Sequence, residues 1–266
     1  MSLRIGTRGS ALALAQSGWV AAQLGDDVEV VVLRTSGDAG VSGDKTRWVD
    51  TIEAALVAGE IDLAVHSAKD VPGDLAEGTA IVGTPVRAAA HDVLVGVLSG
   101  VVGTSSLRRC AQLRAVDADI EVVELRGNVD TRLRKLSDGE VDGLVLAAAG
   151  IERLGLSVAC TALDFVPAPG QGTLAIQGLM GSETLCAAVH DAATFACLMA
   201  ERAAAQTLGA SCHTAVGLHA SPDGRMRGFA GRPDGSQWVG DEIDTLDGAL
   251  LAQRMLAAGA GEVLAA

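Results

Sequence analysis

Short apolar runs alternate along this chain with longer runs of helical period, and that alternation, repeated twice, restricts the fold more than any other feature. Residues 3–5 read as a strand. After the turn at 6–9, residues 10–24 have the apolar density of a helix with Ser10 as its N-cap. Residues 28–33 read as a second strand, 51–58 as a helix and 61–66 as a buried strand. The intervening segment 35–47 is rich in Gly, Ser and Asp and has no periodicity, which predicts a mobile loop. This order specifies a parallel sheet with crossover helices, in which ligands sit at the carboxyl ends of strands.

The pattern then recurs, with strands predicted at 92–97, 101–103, 120–124 and 143–147 and helices at 105–115 and 129–136. Pro167, Pro169, Gly170 and Gly172 punctuate the chain, and 173–177 has the character of a strand that returns to the first lobe. From about 194 the pattern changes to an Ala-rich helix, short strands at 216–220, 226–231 and 237–239, and a helix at 249–258. The expected architecture is α/β, with two doubly wound lobes and a small C-terminal α+β domain.

Composition bounds the partners. Nearly half of the 266 residues are apolar, enough for a substantial core, and a formal charge of −13 excludes the broad positive field that nucleic acid or an anionic membrane requires. No leader pattern or long apolar stretch is present, so a cytoplasmic protein is expected. Cys110, Cys160, Cys186, Cys197 and Cys212 form no C-x-x-C pair and fit reduced thiols rather than disulfides or a zinc site; no metal is expected.

Lysine occurs only at Lys45, Lys69 and Lys135; the other basic residues are arginines. Several fall at predicted strand ends beside turns: Arg8 in 6–10, Arg108 and Arg109 in 103–109, Arg126 and Arg132 in 125–132, and Arg153 in 151–153. A helix N-terminus offers unpaired N–H groups, and a guanidinium adds a fork shaped for carboxylate. Together they are expected to line a cleft for a polycarboxylate ligand. Screening over about 8 Å at physiological salt makes a local cluster sufficient against the net negative charge.

Residues 64–72 leave a buried strand and turn at Pro72, placing Lys69 and Asp70 at a lobe mouth, where a carboxylate can exchange protons with an amine and stabilise a developing cation. A solvated Lys–Asp pair in a turn is the simpler alternative, and His66 alone reads as a core histidine. Cys212, in the small-residue segment 209–214, is open to close approach and to a nucleophilic role, whereas Cys110, Cys186 and Cys197 sit in helical patterns.

Taken in order, TRGSALALAQ at 7–16, VHSAKDVP at 65–72, GTSSLRR at 103–109, LRGNVDTRL at 125–133, AAGIERLGL at 148–156, PAPGQG at 167–172 and GASCH at 209–213 resemble the porphobilinogen deaminases, also called hydroxymethylbilane synthases, over essentially the whole chain. The resemblance implies two lobes like those of periplasmic binding proteins, 1–87 with 173–192 and 91–167, and a third domain at 194–266. It implies a transferase of tetrapyrrole biosynthesis, cytoplasmic and monomeric. Such an enzyme joins four porphobilinogen molecules with loss of ammonia on a dipyrromethane cofactor, attached to Cys212 through a thioether, and releases hydroxymethylbilane by hydrolysis.

By the same carry-over Asp70 and Lys69 are catalytic. The cofactor is held by Arg8, Ser10, Lys69, Asp70, Thr104, Ser105, Ser106, Arg108, Arg109, Arg126, Gly127 and Arg132. Substrate and growing chain meet Arg8, Gln16, Lys45, Trp48, Arg126, Arg132, Arg153 and Gln171. Two departures stand out. Asp44-Lys45-Thr46-Arg47-Trp48 follows a shortened loop, and Ile176-Gln177-Gly178 replaces an Ile-Glu-x-Arg pattern, which removes an expected charge pair. The competing readings are a degenerate paralogue or a solute-binding protein that binds pyrroles without turnover.

Overall fold

The computed structural model describes residues 2–35, 49–211 and 213–265. β1 (Leu3–Arg8) is joined by α1 (Ala11–Leu24) to β2 (Val28–Leu33), and the two strands run parallel, Leu3 opposite Val28 and Arg8 opposite Leu33. Ser10 starts α1 as expected: its Oγ accepts from the Ala13 N–H and satisfies one of the donors a helix start leaves open. Gly25 stops the helix with φ 120°, a conformation that a Cβ would strain. α2 (Asp50–Val57) leads into β3 (Leu63–Ser67), parallel to β1, and β4 (Thr79–Gly83) follows.

The second lobe repeats the scheme. Its elements are β5 (Asp92–Gly96), β6 (Val101–Gly103), α3 (Leu107–Val116), β7 (Glu121–Val123), α4 (Val129–Ser137), β8 (Gly143–Ala147), α5 (Ala148–Arg153) and β9 (Cys160–Leu163). β6 pairs in parallel with both β7 and β8, and β5 lies antiparallel between β8 and β9. β10 (Leu174–Leu179) then returns to the first sheet, antiparallel between β3 and β4, giving the order β2-β1-β3-β10-β4. In each sheet the strand order reverses beside a central parallel strand, β1 in one and β6 in the other, so the loops after their carboxyl ends are the natural ligand positions.

The remaining chain forms α6 (Ala192–Thr207), an antiparallel meander of β11 (Val216–Ala220), β12 (Met226–Gly231) and β13 (Trp238–Ile243), and then α7 (Gly248–Ala257) and α8 (Ala260–Leu264). Leu218, Met226, Leu251 and Met255 are fully buried here, each side chain contributing about 1.5–3 kcal/mol of burial free energy. Gly248 is required by the packing, since a Cβ there would collide with the Ala200 carbonyl of α6. The chain forms two compact units, Met1–Ala88 with Gly172–Ala196, and Ala89–Gln171 with Cys197–Ala266.

The α/β reading holds, and most predicted elements lie within two residues of their observed ends. Two boundaries shift further. The strand at 3–5 runs to Arg8, and the strand at 237–239 runs to Ile243. β4 and β9 were not predicted; β9 is mostly exposed and so carries little apolar signal. Among the described residues no helix is long and apolar enough to cross a membrane. The predicted loop, with Lys45 and Trp48, lies outside the described residues, apart from Thr35, and so does Cys212.

Candidate functional site

In the first unit, the carboxyl ends of β1 and β3 open into a cleft lined by Arg8, Ser10, Gln16, His66, Ser67 and Asp70 among others. Arg8 closes β1, Ser10 caps α1, and Gln16 lies buried on the second turn of that helix. Asp70 ends a short 3-10 turn, Ala68–Asp70, anchored at both sides: the Ala68 N–H donates to the Thr173 carbonyl at 3.0 Å, and the Val71 N–H to Ala68 O at 3.2 Å. Val71 and Pro72 are buried beneath it, so Asp70 stands on a fixed base while remaining partly accessible. Lys69 sits in the same turn, half-buried.

His66 is buried one residue before the end of β3, and its Nε2 lies 3.1 Å from Oε1 of Gln177 on β10. Burial drives the His66 pKa down to about 4, against opposing contributions from Gln177 and Asp70 and with a further lowering by Arg8, so the ring is neutral at physiological pH. The Gln177 amide donates to Glu53 Oε1 at 2.8 Å and to Thr79 Oγ1 at 2.9 Å. The missing charge pair at this position is thus replaced by a buried hydrogen-bonded amide.

In the second unit Arg108 and Arg109, the first turn of α3, are both buried against Asp92, the first residue of β5, which has no solvent exposure. Arg108 Nη1 lies 2.7 Å from Asp92 Oδ2, and Arg109 Nη2 lies 2.7 Å from Oδ1. Burial works to raise the Asp92 pKa, but the two guanidiniums, Arg109 ahead of Arg108, outweigh it and hold the carboxyl well below the usual range. Arg109 also donates to the Val145 carbonyl at 2.9 Å, and Arg108 to that of Val166 at 2.8 Å. Gln171 completes the cluster: its Nε2 donates to the Ala90 carbonyl at 2.6 Å and to Asp92 Oδ1 at 2.9 Å.

Of the other motif residues Thr104 is buried, while Ser105, Ser106, Gly127, Arg126 and Arg132 are exposed or partly so. Thr104 Oγ1 accepts from the Ser106 N–H at 3.2 Å, and Ser106 caps α3 by accepting from the Arg109 N–H. Ser105 is exposed and accepts from Arg132 Nη2 at 3.4 Å; Arg132 Nε donates to the Gly127 carbonyl at 2.7 Å. Gly127 takes φ 122° in the turn that precedes α4, a conformation open to glycine. Arg126 is exposed and pairs with Glu124, a contact of little energetic consequence. Arg153 is half-buried in the last turn of α5, and burial lowers its pKa.

The sequence brings forward the arginines but not Asp92, the acid that holds Arg108 and Arg109, nor the buried Glu201. Asp92 carried a signal, because an acid opening an apolar strand run must find a cation when buried. Glu201 carried one too, as the acid in an Ala-rich helix: it is fully buried and accepts from the Gly170 N–H at 2.6 Å and the Ala220 N–H at 2.7 Å, fixing the turn at 167–172. Glu53 carried no functional signal, and Gln177, marked only as a departure from the family pattern, gave no hint of its partners, since only the pairing of β10 beside β3 brings it to His66.

Residues 3–187 match the family model described as porphobilinogen deaminase, dipyromethane cofactor binding domain. The chain is 40% identical over 302 residues to the porphobilinogen deaminase of Deinococcus deserti, with 97% of this chain and 96% of that protein covered. It is 41% identical over 266 residues to that of Thermus thermophilus, covering 90% and 88%. The match extends through the strands and turns that carry Arg8, Asp70, Arg109 and Arg132, and the chain belongs to the porphobilinogen deaminase family.

Proposed function

We propose that this chain is a hydroxymethylbilane synthase that condenses four porphobilinogen molecules head to tail and hydrolyses the product from the protein. The observation that carries this reading is the cleft at the ends of β1 and β3, where an anchored, accessible carboxylate, Asp70, stands with Arg8 and the capped start of α1. In each condensation the aminomethyl nitrogen of porphobilinogen leaves as ammonia, a carbon–carbon bond forms to the free pyrrole α-carbon, and that carbon loses its proton. Asp70 faces the positive charge that develops as ammonia departs, and preorganised charge of this kind is worth about 2.7–4 kcal/mol of transition-state stabilisation.

Porphobilinogen brings two carboxylates and the dipyrromethane four, which suits a cleft that offers Arg8 and the N–H groups at the start of α1 beside Asp70. When bound, the dipyrromethane supplies the nucleophilic pyrrole carbon at which the chain grows, and Cys212 is its point of thioether attachment. Arg8, Ser10, Lys69, Thr104, Ser105, Ser106, Gly127 and Arg132 hold its carboxylates in this reading. Arg126, Arg153 and Gln16, with Lys45 and Trp48, attend the incoming substrate, while Gln171 stays committed to Asp92. Arg108 and Arg109, committed to Asp92, serve as the rigid start of α3 that presents Ser105 and Ser106. The same reading makes the protein a cytoplasmic monomer organised as 1–87 with 173–192, 91–167 and 194–266.

Incubation of the purified chain with porphobilinogen tests the proposal: ammonia is released in step with substrate loss, four per hydroxymethylbilane formed. Asp70→Asn, which keeps the shape but not the charge, is expected to retain the covalent adduct and to lower kcat about 10²–10³-fold. A rate near that of the parent removes Asp70 from this role.

A further inference from the structure

The proton positions around Gln177 can be ordered from chemistry alone. The Thr79 hydroxyl donates its hydrogen to the Ala76 carbonyl at 2.8 Å, so toward Gln177 it can only accept. Glu53 Oε1 accepts from the Ala76 N–H at 3.2 Å, and as a carboxylate it too can only accept. Both neighbours therefore require the NH₂ end of the Gln177 amide, and the other end, Oε1, is left facing His66 Nε2 at 3.1 Å. An amide oxygen cannot donate. The contact exists only if His66 carries its hydrogen on Nε2, which leaves Nδ1 as the acceptor of the ring.

His66 is 6% exposed and lines the same cleft as Asp70 and Arg8. We infer that Gln177 is a positioning residue that holds His66 in its Nε2–H form, so that Nδ1 acts as an uncharged acceptor for the pyrrole N–H of a bound substrate beside Asp70. The inference rests on the deaminase reading for its ligand and on the buried network for its geometry. A pyrrole ring offers one N–H donor and no nitrogen acceptor, which matches a bare imidazole nitrogen. The ring is surrounded by Arg8 on β1, Asp70 in the turn after β3 and Gln177 on β10, with Glu53 of α2 beyond the amide. A neutral ring here leaves the Asp70 charge available to a cationic substrate, where an imidazolium would compete for it. Burial supplies the neutrality, and Gln177 supplies the choice of nitrogen.

The ring nitrogens of His66 in the purified full chain, observed by ¹⁵N–¹H NMR between pH 6 and 8, test this directly. The expected pattern is one protonated Nε2 and one bare Nδ1, with the Nδ1 resonance moving on addition of porphobilinogen. Gln177→Leu is expected to mix the two tautomers and to lower kcat/KM about tenfold. An Nδ1–H or charged ring in the parent protein overturns the inference, as does an unchanged tautomer in Gln177→Leu or an Nδ1 resonance indifferent to substrate. A parent protein that consumes no porphobilinogen refutes the deaminase reading and the ligand assignment, while the tautomer in the free protein still reports on the Gln177 geometry. Turnover with the wrong tautomer refutes this inference alone.

Discussion

Asp92 is the residue on which the arginines of the second sheet depend. It is buried with two guanidiniums against it, and each of those also donates to a backbone carbonyl. Replacing Asp92 by Asn leaves two buried cations without a counter-charge, a change that costs about 3–5 kcal/mol. Urea unfolding of Asp92→Asn at pH 7 is expected to show a loss of that size; a loss below about 1 kcal/mol contradicts the assignment of both pairs to the fold. At this scale the sequence was half legible. It marked Arg108 and Arg109 as cations beside a turn but not which way they face, because a guanidinium suits a buried aspartate as well as a ligand carboxylate.

At the scale of elements, local chemistry set what the sequence revealed. Ser10 was recognisable as a cap residue beside an apolar run, whereas Ser106 fell inside the helix expected at 105–115; both accept from the N–H three residues on. Ser106→Ala is expected to destabilise the chain by about 1 kcal/mol, read as a shift in the urea midpoint without a change in slope. The antiparallel insertion of β10 between β3 and β4 was only partly legible: the return of 173–177 to the first lobe followed from the turn at 167–172, but its neighbours did not. The network of His66, Gln177, Glu53 and Thr79 depends on that pairing and was hidden with it.

For the molecule as a whole, the buried histidine leaves a mark on stability. His66 has its pKa lowered from 6.5 to about 4 in the folded state. Between those values the unfolded chain binds a proton that the folded chain refuses, so stability falls as pH drops from about 6.5 and the loss is complete below about 4. The full effect is about 3 kcal/mol, since each tenfold difference in proton affinity between the two states is worth about 1.4 kcal/mol. Urea midpoints at pH 7 and pH 5 are expected to differ less in His66→Asn than in the parent; equal differences contradict the buried neutral ring. The net charge of −13 bears on partners at this scale only as an expectation against broad anionic surfaces, and the expectation of a polycarboxylate ligand rests on a few local cations.

A two-pyrrole cofactor bound through Cys212 to a chain of this family is the claim on which the proposed chemistry depends. Intact mass of the protein, purified from a host that makes porphobilinogen, addresses it most directly. A covalent adduct of two pyrrole units is expected on the parent chain, absent from Cys212→Ser and present on Asp70→Asn. An unmodified parent chain, or an adduct that persists in Cys212→Ser, contradicts it.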